Sequence, residues 1–151
     1  MLFDADALNI LAYNQHWLPQ VPKGSIFTPH PGEMKRFGLE PQELAEKYGV
    51  VVVLKGHHTH IYVPKDGEVL VYENTLHGNA GMAVGGSGDV LTGIILALMA
   101  QHYTAEQAAV IGVWIHALAA DLALADGNSM ESLLPSDIIT HLGVAFNASR
   151  L

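Results

Sequence analysis

The run Val50-Val51-Val52-Val53-Leu54 constrains the fold more than any other stretch of the chain. Five consecutive apolar residues, four of them β-branched, leave no polar side for water. This is the pattern of a strand covered on both faces, as in a parallel sheet with helices above and below it. The sequence around the run supports that architecture. Leu2 and Phe3 read as the end of a strand, and Leu8, Leu11 and Ala12 repeat at helical spacing over about Ala5 to Tyr13, with Asp4 or Asp6 near its start. Ser25 to Thr28 reads as a short strand stopped by Pro29 and Pro31, which places His30, Gly32 and Glu33 on a loop beyond it. A short helix over about Pro41 to Tyr48 then leads through Gly49 into the apolar run.

Beyond the run, Thr59 to Val63 and Val69 to Tyr72 flank Pro64-Lys65-Asp66-Gly67, whose Asp-Gly pair marks a hairpin turn. Antiparallel strands therefore border the parallel core. After a glycine-dense stretch from Asn79 to Gly88, a helix is expected over about Asp89 to Gln101. Thr104 and Gln107 form a capping box for a second long helix over about Ala105 to Ala125, and Ser136 is a good N-cap for a last one over about Asp137 to Phe146. No repeat or linker divides the chain, so it reads as one α/β unit.

Composition narrows the function. The 151 residues are 50% hydrophobic and 15% charged, enough for one packed core rather than a disordered chain. Seven Lys and Arg stand against 15 Asp and Glu, a net charge of -8 with no basic stripe, which argues against nucleic acid as a partner. There is no Cys, which suits a reducing compartment, and the cytoplasm is the expected location. Asp4 and Asp6 occupy positions where an export signal requires positive charge and then an apolar core. The apolar stretch Ala108 to Ala125 is interrupted by His116 and Asp121 and reads as a buried helix rather than a membrane span.

Three short stretches carry candidate chemistry. Gly85-Gly86-Ser87-Gly88-Asp89 runs straight into a helix, where glycines let successive N–H groups converge and the helix dipole adds positive potential, together an anion hole. Asp89 beside that hole would repel phosphate unless it has a separate task, such as taking the proton of an attacking hydroxyl. A helix cap on a tight glycine turn explains the same residues equally well. In Thr28-Pro29-His30-Pro31-Gly32-Glu33, two prolines fix a histidine on a loop, as a ligand contact or as a structural turn. Lys55-Gly56-His57-His58-Thr59 follows the apolar strand at its carboxyl end, where open α/β sheets bind ligands, although a snorkelling lysine reads the same way. His58 and His60 would share one strand face, but no third ligand stands nearby, so transition-metal binding is not expected. His116 reads as a hydrogen-bonded core residue, and Met82, Met99 and Trp114 as packing.

Taken together in this order, Asp4 to Asn9, Thr28 to Glu33, Val51 to Gly56, Asn79 to Gly93 and Ser136 to Ile139 closely resemble the ADP- or ATP-dependent NAD(P)H-hydrate dehydratases of the ribokinase-like superfamily. The resemblance implies a three-layer α/β/α fold with a mostly parallel central sheet and an antiparallel hairpin at its edge. It also implies a metabolite-repair activity. In the mechanism that the resemblance implies, the hydroxyl of hydrated NADH or NADPH would be phosphorylated by ADP or ATP with Mg, and phosphate would then leave to restore the double bond.

Carried over by position, Asp89 would be the catalytic base and would touch the hydrate, which His30 would also contact. Lys55, Gly56, His57, His58 and Thr59, with Gly85, Gly86, Ser87 and Gly88, would bind the nucleotide, the Gly85 to Gly88 amides holding the transferring phosphoryl group. Glu33 would help place magnesium indirectly, with His30 where the superfamily has an asparagine. Ala80 and Val84 depart from the family's usual Pro and Thr, and the stretch between Glu33 and Val50 is shorter than usual.

The family also has an N-terminal portion before the Asp4 motif, so the chain resembles the C-terminal portion of the domain, residues 1–151, and the strand at Leu2-Phe3 is expected to need covering. A homo-oligomer, tetrameric by resemblance, is implied. Two alternatives remain: a ribokinase-like vitamin-precursor kinase, and a nucleotide-binding fragment without catalysis.

Overall fold

Val51–Leu54 forms β3, the middle strand of a five-stranded sheet in the computed structural model, which describes residues 1–150. In chain order the strands are β1 (Leu2–Phe3), β2 (Ile26–Phe27), β3, β4 (Thr59–Lys65) and β5 (Glu68–Asn74), and they lie side by side in that order. β1, β2 and β3 are mutually parallel; β4 runs antiparallel to β3, and β5 antiparallel to β4. Four of the five strands therefore point the same way, with the hairpin at one edge as expected.

Alternation along the apolar run creates two cores. Val51 and Val53 face one side with Ile26, Ile61 and Val63, against α4 (Ser87–Ala100) and α5 (Ala105–Ala125). Val50 and Val52 face the other with Phe27, against α1 (Ala5–Tyr13), α2 (Pro31–Arg36) and α3 (Pro41–Tyr48) through Leu8, Leu11, Met34 and Leu44. Burial of both faces stabilises a strand that could not stand at a solvent surface. α6 (Pro135–Ala148) adds a third cluster, setting Ile138 and Ala145 against Ile115, Ala119 and Ala123 on the outer side of α5. By length and composition α5 could cross a membrane, yet it is packed between sheet, α4 and α6, with 56% of its most apolar window buried.

Local chemistry sets the boundaries. Asp4 caps α1 by accepting from Ala5 N at 2.9 Å, and the Thr104–Gln107 capping box closes at 3.2 and 3.1 Å. Three expectations are corrected. Gly32 and Glu33 lie within α2, not on a loop, because Pro31 opens the helix, His30 Nδ1 accepts from the Gly32 and Glu33 amides, and Glu33 Oε2 accepts from His30 N. α4 begins at Ser87 rather than Asp89, directly after Gly86. α6 begins at Pro135, and Asp137 reaches back to the Leu134 amide at 2.9 Å, so Ser136 is not its cap.

Candidate functional site

The carboxyl ends of β1, β2 and β3 converge with the N-terminus of α4. Phe3 leads into Asp4, Phe27 into Thr28-Pro29-His30, and Leu54 into Lys55-Gly56, with Lys55 N donating to Pro29 O at 2.9 Å. Ligands of open α/β sheets bind beyond these strand ends. Here they open onto a cavity of about 720 Å³, large enough for a nucleotide.

Of the predicted residues, the cavity collects His30, Lys55, Gly56, His57, Thr59, Ser87 and Gly88. Gly86 holds φ +94°, a conformation that L side chains rarely adopt, and turns the chain into the first turn of α4. A Cβ on Gly88 would lie 3.3 Å from Lys55 Nζ, so the absent side chain lets the ammonium sit against the helix start. Free amides of that first turn, the dipole and Lys55 thus share one end of the cavity, a site suited to polyphosphate.

Lys55 is not a free cation. Its Nζ donates to Asp4 Oδ1 at 2.8 Å, while Thr92 Oγ1 donates to Asp4 Oδ2 at 2.7 Å. Partial burial works against the Asp4 charge, but the hydrogen bonds from Lys55 and Thr92, the Lys55 charge and the Ala5 amide outweigh it and hold the carboxyl below its ordinary value. This knot ties β1, β3 and α4 together.

Ser87 rests on a second buried contact. His116, on α5, places Nε2 3.4 Å from Ser87 Oγ; burial pushes its pKa down to about 4, partly offset by Ser87, so the imidazole is neutral at pH 7. The reading of His116 as a hydrogen-bonded core residue holds, and it also lines the cavity.

Other predicted residues lie elsewhere. Asp89 is exposed and lines a separate groove between α4 and α6, so the Ser87–Gly88 turn stands between it and the cavity. Gly85 and Gly86 shape the turn without lining the cavity. His58 faces away, its Nδ1 2.8 Å from Glu73 Oε1 on the hairpin. Glu33 is buried, with Oε2 taken by the His30 amide and Oε1 3.5 Å from His30 Nε2. The cavity lining holds no carboxylate, and among the described residues no group of three or more His, Asp or Glu could hold a metal ion. The residues present therefore do not form a protein-ligated magnesium site.

Sequence reasoning missed the wall opposite. Asn74, His77, Gly78 and Asn79 line the cavity, and Asp121 on α5 receives donors from three of these four: His77 Nδ1 at 3.1 Å, Gly78 N at 3.0 Å and Asn79 Nδ2 at 3.0 Å. The signal available was the single carboxylate within the apolar stretch Ala108 to Ala125 of α5.

A mostly parallel sheet between two helical layers, its strand ends facing a glycine turn that opens a helix, is the arrangement of the ribokinase-like class. Consistent with this, a ribokinase-like superfamily protein from Enterococcus faecalis superposes with a TM-score of 0.80 at 31% identity, covering 97% of this chain and 52% of its own. The chain belongs to the NAD(P)H-hydrate dehydratase family, whose model matches residues 1–142. It is 43% identical to the bifunctional NAD(P)H-hydrate repair enzyme of Vibrio cholerae over 97% of its length, and 38% identical to the ADP-dependent (S)-NAD(P)H-hydrate dehydratase of Neisseria meningitidis over 91%. The ADP/ATP-dependent NAD(P)H-hydrate dehydratase of Bacillus subtilis, co-crystallised with ATP and Mg²⁺, superposes over 97% of the chain with a TM-score of 0.79 at 31% identity. The chain spans 30% of the Vibrio protein, 50% of the Neisseria one and 54% of the Bacillus chain.

Proposed function

We propose that this chain is the C-terminal portion, residues 1–151, of one NAD(P)H-hydrate dehydratase domain and carries its nucleotide site and catalytic base. The observation that supports this most directly is the Gly86–Gly88 turn, which opens α4 at the end of a nucleotide-sized cavity with Lys55 against it. ADP or ATP would lie in the cavity with its polyphosphate at that end, along Lys55 to Thr59. Mg²⁺ would travel with the phosphates, since the lining offers no carboxylate.

Asp89 would act from the other side of the turn, with the acceptor hydroxyl meeting the terminal phosphorus at the N-terminus of α4. It would take the proton of the ring hydroxyl as the hydroxyl oxygen bonds to the terminal phosphorus and the remaining nucleotide departs. The ring C–O bond then breaks to release phosphate, a far better leaving group than hydroxide, and loss of a neighbouring C–H proton to water restores the double bond. His30, at the cavity mouth, would contact the hydrated dinucleotide. Glu33 would serve the site indirectly, by holding His30.

The test is recovery of reduced-nicotinamide absorbance from NADH hydrate with ADP or ATP and Mg²⁺, using this chain and any longer natural polypeptide that contains it. Recovery that falls about 10²-fold or more in Asp89→Asn with nucleotide affinity unchanged supports the reading. No recovery by the longest natural form with either nucleotide overturns it, and a stable phosphorylated product would point to a kinase instead. The homo-oligomer, tetrameric by resemblance, and the cytoplasmic location belong to the same proposal; light scattering and cell fractionation test them.

A further inference from the structure

We infer that Asp121 is a positioning residue that latches the strap Asn74–Met82 onto α5 and so fixes the wall against which the base of a nucleoside polyphosphate packs; this rests on the nucleotide reading of the cavity. The polyphosphate end is set by the α4 turn and Lys55. A nucleotide is two-faced, so its base requires an apolar surface, with a few polar groups to orient it. The cavity supplies this with Val113 and Ala117 on α5 and Met82 on the strap, beside the side chain of Asn79.

Asp121 is the polar anchor of the strap, which otherwise meets the rest of the fold through Asn74 at the end of β5, Met82 against the α5–α6 cluster and Gly81 against the Met130 backbone. Residues 75, 76, 78 and 80 are exposed, and the segment contributes no residue to the buried core. Three consecutive residues converge on one carboxylate. Oδ2 accepts from Gly78 N at 3.0 Å and from His77 Nδ1 at 3.1 Å, and Oδ1 accepts from Asn79 Nδ2 at 3.0 Å. The strap is internally braced, because Asn74 Nδ2 donates to His77 O at 3.0 Å and Gly81 N donates to Asn79 Oδ1 at 3.1 Å. His77 also sets its ring edge-on to Trp114, with centroids 4.5 Å apart. Trp114, Ala117 and Asp121 follow at i, i+3 and i+7, one stripe of α5. The latch, the apolar floor and a fluorescent reporter thus lie side by side. A carboxylate with three donors has no neutral equivalent, because an amide in its place turns an N–H₂ group toward donors and loses at least one contact.

A latch that serves the base rather than the phosphates is told from a general structural role by comparing two probes. In a Trp17→Phe background, leaving Trp114 as the only tryptophan, binding of ADP and of inorganic tripolyphosphate is measured by calorimetry for the parent and for Asp121→Asn. The expected result is ADP affinity weakened about tenfold, tripolyphosphate affinity within about twofold of the parent, and a shifted Trp114 emission maximum. Equal weakening of both probes, or unchanged ADP affinity, overturns the latch while leaving the nucleotide site standing. A parent that binds neither probe overturns the nucleotide reading and the latch together. If Asp121→Asn fails to fold, Asn79→Ala removes one donor and must give the same selective loss in smaller measure; an unselective or absent effect overturns the inference.

Discussion

Lys55 and Asp4, 51 positions apart in sequence, meet at 2.8 Å where β3 and β1 end, and Thr92 closes the group from α4 at 2.7 Å. Both charged side chains are mostly sheltered, 20% and 11% exposed, so neither would be well solvated without its partner. Lys55→Met is predicted to cost about 2 kcal/mol of folding stability at neutral pH, read from urea midpoints. The Asp4 carboxyl lies below its ordinary value of 3.8, so the unfolded chain binds its proton first as pH falls. The stabilisation is present above that value and is lost as pH falls through the lower folded one. The gap between the wild type and Lys55→Met should therefore narrow on acidification below 3.8, and a gap independent of pH would show that the ion pair contributes nothing.

His116 gives an independent pH signature. Its folded pKa of about 4 lies below the ordinary 6.5, so between those values the unfolded chain binds the extra proton and stability rises with pH. The wild type should lose about 2 kcal/mol between pH 7 and pH 5 from this group alone. His116→Gln keeps a polar group facing Ser87 but cannot take the proton, and should flatten the profile by that amount. Parallel stability curves for the two proteins across this range would refute the buried neutral imidazole.

Much of this architecture is legible in the sequence because the deciding interactions are local. The β-branched run at Val50 to Leu54 could only be a doubly covered strand, and Asp66-Gly67 could only be a tight turn. Thr104 announces α5 through Gln107, three residues on. The errors also have local causes. Pro31 looked like a strand stop and is a helix start, because His30 accepts two amides in a role usually filled by Ser, Thr, Asp or Asn. The site was legible in part. Strand ends place Lys55 and His30 at one mouth, but which side of the first α4 turn faces the cavity depends on how α4 sits on the sheet. Asp89 and Ser87 diverge for that reason. Asp121 was invisible because its three partners lie more than forty positions away.

Gly86→Ala tests whether the phosphate turn has the backbone that the cavity requires. At φ +94° an L side chain is strained, and the new Cβ would stand 3.2 Å from Pro135 Cγ at the start of α6. A loss of about 1 to 3 kcal/mol in stability is expected. Tripolyphosphate and ADP affinity should fall together, since both read the same amides. Unchanged affinity for both would mean that the α4 turn does not hold phosphate.

Glu33 separates a capping role from a metal role. Its buried carboxylate accepts from the His30 amide at 2.9 Å and lies outside the cavity lining, so its work is to fix α2 and the His30 ring. Glu33→Ala should lower stability by about 1 kcal/mol, the usual cost of losing a cap, seen as a lower melting temperature. Glu33→Gln, whose amide oxygen still accepts from His30 N, should retain most of that stability. In both variants the gain in ADP affinity on adding Mg²⁺ should match the wild type within about twofold, as expected for a metal carried on phosphate oxygens rather than on this side chain. A Mg²⁺ effect lost in both variants would place Glu33 in the metal's coordination sphere and reverse the assignment.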